Sequence, residues 1–174
     1  VGIMIYNLDK SQFNVFGEDG LPESYPVPQS TPELLFYIQR NLNRNTVIYS
    51  ANINQMGLID ESYPIKVYWI KYCENGKQAE LNLIQEKAFG YTSSKINEKT
   101  YEFRMTSYDC LRMFLCMDDE GQCKVMTKIN NQDAQLSNIY VYADELGIFP
   151  QLKFIELYGF CHDDLLPIYQ RIIV

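Results

Sequence analysis

The chain has 174 residues, 47% of them apolar and 21% charged, which suits one globular domain over residues 1–174 rather than a disordered segment. Its formal charge of −7 argues against nucleic acid, whose phosphates need clustered Lys and Arg, and against an anionic membrane surface. No apolar run approaches the roughly 20 residues that cross a bilayer, so no transmembrane segment is expected.

Residues 1–33 read as an amino-terminal strand followed by a Pro-rich loop. The stretch FGEDGLPESYPVPQSTPE holds four prolines and two glycines, which neither a helix nor a central strand tolerates. The first residue is Val rather than Met, and we read it as a processed amino end.

From Leu34 the apolar residues alternate, and residues 34–174 are expected to form the β core. Leu34, Phe36 and Ile38 share one face; Leu35, Tyr37 and Gln39 share the other. Beyond a knot of Asn and Arg, Val47, Tyr49, Ala51 and Ile53 share a face again. An antiparallel hairpin sets Ile38 opposite Val47 and Arg40 opposite Asn45, leaving Asn41-Leu42-Asn43-Arg44 as a four-residue loop. Arg40 continues the inward phase, so its charge must be paired or must reach the rim of the sheet. Two readings follow. In one, the guanidinium lies over Tyr49 or Trp69. In the other, Arg40, Asn43, Arg44, Tyr49 and Trp69 line a pocket mouth for a carboxylate or a sugar hydroxyl.

YPIKVYWIKYC puts Ile65, Val67 and Trp69 on one side and Tyr68, Ile70 and Tyr72 on the other, as in a strand covered on both faces. Asn75-Gly76 is hairpin-turn chemistry. The following residues have helical spacing, however, with Gly90 as terminator, so a helix is expected around residues 78–89. That helix should cover the outward aromatics Tyr68, Tyr72, Tyr140 and Tyr142. Otherwise those rings form a platform for a protein partner, a second copy or a glycan.

KTYEFRMTSY, CLRMFLCM, QCKVMTKI, NIYVYAD, KFIELYGF and IYQRIIV all read as strands. The sum is an all-β, mainly antiparallel fold: a barrel or sandwich of about eight strands, calycin-like, with one packed helix.

Chemistry-bearing patterns are sparse. Five cysteines without a CxxC pair and a single histidine disfavour zinc. Cys116 and Cys123 flank Asp118-Asp119-Glu120-Gly121. A four-residue loop would oppose them as a disulfide pair, whereas a three-residue loop with a bulge at Gly121 would set Cys116 opposite Lys124. Asp118, Asp119 and Glu120 lack the spacing of a calcium loop. His162 beside Asp163 and Asp164 offers a hydrolase-like site. Nucleotide, flavin and zincin signatures are missing, and no cofactor or metal is expected.

YPVPQSTPELLFYIQRNLNRNTVIYSANIN and GLIDESYPIKVYWIKYCENGKQAELNLIQEKAFGY together resemble a bacterial family known as domain of unknown function 4833. Ala88-Phe89-Gly90 stands where that family carries an Ala-Tyr-Gly triplet. The resemblance implies an exported bacterial domain, in the periplasm, at the cell surface or secreted. It implies no activity. The function expected is a non-catalytic binding or assembly module of an envelope or secreted complex. The alternatives are a β-barrel carrier of a small apolar or sugar-like ligand, and the His162 hydrolase.

Overall fold

The computed structural model describes residues 25–144 and 151–174; the amino-terminal strand expected at the start of residues 1–33 lies outside them. The described elements are β1 (Leu34–Arg40), β2 (Thr46–Ala51), β3 (Ile65–Lys71), a single 3-10 turn (Tyr72–Glu74) and β4 (Lys77–Glu80). Then come α1 (Leu83–Phe89), β5 (Tyr91–Asn97), β6 (Thr100–Met105), β7 (Tyr108–Met117), β8 (Cys123–Ile129), β9 (Gln132–Asp144), β10 (Gln151–Cys161) and β11 (Pro167–Ile173). The all-β fold with one helix is therefore what the sequence describes, with β4 and β5 as unexpected strands.

The helix is shorter than expected. Asn75 and Gly76 both adopt positive φ, 60° and 74°, the requirement of a tight hairpin. They fold Lys77–Glu80 back on β3, with Ala79 opposite Trp69. The helix starts only at Leu83, where Asn82 and Gln85 form a reciprocal capping box. Such a box satisfies two orphan donors of the first turn.

The strands run in the order β4-β3-β2-β1-β9-β8-β7-β6-β5, with β10 and β11 continuing from β9. β9 organises this sheet. Its residues Asn138–Val141 lie parallel to β1, Gln132–Gln135 pair with β8 on the same edge, and β10 runs along the opposite edge. With the natural twist of strands, the sheet curls into a half-barrel. Gly159 lies at an irregularity of the β9–β10 pair, and a Cβ there would sit 2.2 Å from the Gln135 carbonyl oxygen. Only glycine lets the strands approach so closely.

The inside of the curl is filled. Phe36, Val47, Tyr49, Ile65, Phe103, Met113, Leu115 and Leu157 are all but sealed from solvent. The Phe36 ring stacks on Tyr49 at 4.3 Å and lies 6.2 Å from Phe103. The hairpin register is as expected, with Ile38 opposite Val47. A bulge between Leu34 and Phe36 changes the phase at its start. Leu35 turns inward and Leu34 joins Tyr37 and Ile48 on the outer face, contrary to plain alternation, because the extra residue shifts every side chain before it.

Tyr140 and Tyr142 pack on the outer face of β9 and β10 with Tyr25, Phe154 and Tyr158. The helix takes no part there, and Tyr140 is only 1% exposed, so an open platform over all four tyrosines is ruled out. Among the described residues, no helix is long and apolar enough to cross a membrane.

Candidate functional site

The asparagine knot is a loop and a clip. The Asn41 side chain bonds Ala143 through both its oxygen and its nitrogen, each at 2.9 Å, and so prolongs the β1–β9 ladder beyond its backbone. Asn43 Oδ1 accepts from Asn45 N–H at 2.9 Å and from Arg40 Nη2 at 3.0 Å. Asn45 Oδ1 accepts from Cys73 N–H. Arg44 enters only through its carbonyl, which accepts from the Thr46 hydroxyl, and its side chain is exposed.

Arg40 ends β1 half-buried, with its guanidinium carbon 4.7 Å from the centre of the Trp69 ring and 5.9 Å from that of Phe89. Trp69 meets Phe89 edge-on and donates its indole N–H to Gln85 Oε1. Burial lowers the Arg40 pKa, slightly opposed by Tyr25 and Cys73. Arg40 Nε is buried without a hydrogen-bond partner, and among the described residues no carboxylate pairs with this cation. The aromatic faces stand in for one, since a desolvated guanidinium over a ring is stabilised by about 2 kcal/mol. Arg40, Asn43 and Trp69 thus come together, whereas Arg44 points away. Tyr49 is a core pillar: fully buried, it donates its hydroxyl to the Phe89 carbonyl at 2.6 Å. Burial holds its pKa well above the ordinary phenol value.

An opening lies elsewhere. A groove of about 1300 Å³ runs along the gap between β3 and β4 on one side and β5 on the other. Its lining includes Glu33, Ser50, Tyr63, Lys66, Val67, Tyr68, Glu80, Leu81, Glu86, Tyr91, Ser93 and Thr106. The gap exists because β4 pairs only with Tyr68–Lys71 of β3 before the chain leaves for α1. Ile65 and Val67 therefore face a missing neighbour. Tyrosine hydroxyls occupy those positions: Tyr91 accepts from Ile65 N–H at 2.9 Å and donates to Ile65 C=O at 2.7 Å. Tyr63 accepts from Val67 N–H at 3.4 Å. Across the gap, Thr106 N–H bonds Gly90 C=O. The antiparallel alternation then turns the backbone groups of Ser93 and Lys95 away from β6 and into the open. Of the expected site residues, Tyr68 alone lines this groove; the rest of it was missed because β5, a run of small polar residues, carries no hydrophobic period.

His162, Asp163 and Asp164 are exposed on the β10–β11 turn, where Asp164 Oδ1 caps Leu166 N–H. They form a solvated turn and not the enclosed cleft a general base requires. Among the described residues, no group of three metal-ligating side chains forms. At the β7–β8 hairpin, Cys116 lies opposite Lys124 and Cys123 opposite Met117. The loop takes the bulged form, with Gly121 at φ 81°. Both thiols are therefore unbonded, on opposite faces of the ribbon, as the three-residue-loop alternative requires and the disulfide alternative does not. Burial, with Asp118 adding to it, pushes the Cys123 thiol up to about 11.

A search of curated proteins and a search of solved structures each returned no match. A family model does match, over residues 36–171, a span that takes in the knot, the Arg40 stack and both walls of the groove. The chain belongs to the family described as a domain of unknown function, DUF4833.

Proposed function

We propose that this protein is a non-catalytic binding or assembly module, exported by a bacterial cell and working in an envelope or secreted complex, with the groove as its binding face. One observation carries the reading: the curl is solid inside and open outside, along a gap between two sheet edges. A carrier of the calycin type holds its ligand within the barrel, and here that volume belongs to Phe36, Tyr49 and Phe103. The solvated surroundings of His162 give the hydrolase reading no support.

The test is a titration of isotope-labelled protein with a panel of extended peptides and oligosaccharides, followed by amide chemical shifts. Binding that moves Ser50, Val67 and Ser93 is expected. Shifts confined to residues remote from the groove, or none with any panel member, would overturn the groove as binding face. Export has a separate check. The natural precursor should be processed and recovered outside the cytoplasm of a bacterial host, and retention there would contradict that part.

A further inference from the structure

Resting on the groove as binding face, we propose that its occupant is an extended segment of another protein that bears Lys or Arg side chains and lies between β3 and β5 as an added strand. β3 and β5 are not paired with each other, and the link across the gap is the side chain of Tyr91 on β5, whose hydroxyl bonds Ile65 N–H and C=O. The walls also have a strand's chemistry. On β5, Ser93 and Lys95 offer backbone donors and acceptors, and on β3 the Val67 N–H is held only by the exposed Tyr63 hydroxyl at 3.4 Å. Tyr63 can swing out and release it, whereas Tyr91, packed edge-on against Phe103, remains as the floor. An extended peptide that joins such an edge gains main-chain hydrogen bonds, and alternate side chains supply specificity.

The charges select the sign of those side chains. Glu33, Glu80 and Glu86 line the groove against one Lys66, and among the described residues none of the four is in an ion pair. An occupant with cations at alternate positions meets them. A second copy of this chain, itself at −7, would bring the same acidic margin and be repelled. A neutral glycan would leave both the carboxylates and the strand edges unused.

The experiment compares a ten-residue peptide of alternating Thr and Lys with its Thr–Glu counterpart and with a neutral oligosaccharide, read by calorimetry and amide shifts. The Lys peptide should bind with shifts at Val67 and Ser93, weaken as salt is raised, and leave the Glu peptide without effect. Glu80→Gln and Glu86→Gln, both at exposed positions and each checked for an unchanged circular dichroism spectrum, should weaken binding by up to about fivefold, the worth of an exposed ion pair. Tyr63→Phe, which frees Val67 N–H, should tighten it. Equal binding of the Glu peptide, or no change in Glu80→Gln and Glu86→Gln, would overturn the basic occupant. Oligosaccharide shifts at the same amides without peptide binding would overturn the strand while leaving the groove as binding face. Silence from all three ligands would count against both.

Discussion

Arg40 is a cation held by rings. Its position on the inner phase of β1 was legible, because only one alternation fits Phe36 and Ile38. Trp69 was one of two rings in reach, while Phe89 could not be foreseen from a helix placed too early. Since the contact depends on a flat guanidinium, Arg40→Lys should lower stability by roughly 0.5–2 kcal/mol. Urea unfolding followed by the fluorescence of Trp69, the sole tryptophan, checks this. Tyr49 was legible as inward but not as sealed, since alternation gives direction and not depth. Tyr49→Phe strands the Phe89 carbonyl and should cost about 1–3 kcal/mol. Cys123 makes a pH prediction. Its thiol is raised to about 11 in the fold, above the ordinary range near 8.5, so on passing that range the unfolded chain holds fewer protons than the folded one. Stability contributed by this group is complete below about pH 8.5 and declines as pH rises toward 11. The raised phenols of Tyr49 and Tyr158 extend the decline. Urea midpoints at pH 8 and pH 10.5 should show the fall, and a flat profile would contradict it.

At the scale of elements, local turn chemistry outweighed periodicity. Asn75-Gly76 makes its hairpin even though Ala79, Leu83 and Phe89 have helical spacing, because two positive-φ positions in a row suit a tight turn and no helix. The seven-residue α1 is too short to stand alone. It depends on the Asn82 cap, on Gln85 beneath Trp69 and on Gly90, where a Cβ would fall 2.3 Å from the Glu86 carbonyl oxygen. Asn82→Ala should cost about 0.5–2 kcal/mol, and Gly90→Ala about 1–3 kcal/mol, both by chemical unfolding. The capping box was written in the sequence as Asn82, just before the true start of the helix, and Gln85 three residues on. The bulge at Leu34–Phe36 left no such trace, since Leu34, Leu35, Phe36 and Tyr37 are apolar in turn and suit either face.

The whole molecule shows where sequence reading stops. Apolar alternation identifies strands one at a time, and most were found. It does not say that β9 will carry β1 and β8 end to end on one edge, nor that β4 will fall short of covering β3. Those are long-range pairings decided by loop lengths and by competition among edges, and they create the groove. The central claim is that the curl remains open between β3 and β5, around a solid core. Amide hydrogen exchange of the isolated protein tests it most directly. Ser93 and Lys95 should exchange fast, while Leu136 and Leu157 of the core strands exchange slowest. Protection at Ser93 and Lys95 equal to that of Leu136 and Leu157 would mean that β5 already has a neighbour, and the open edge would not exist.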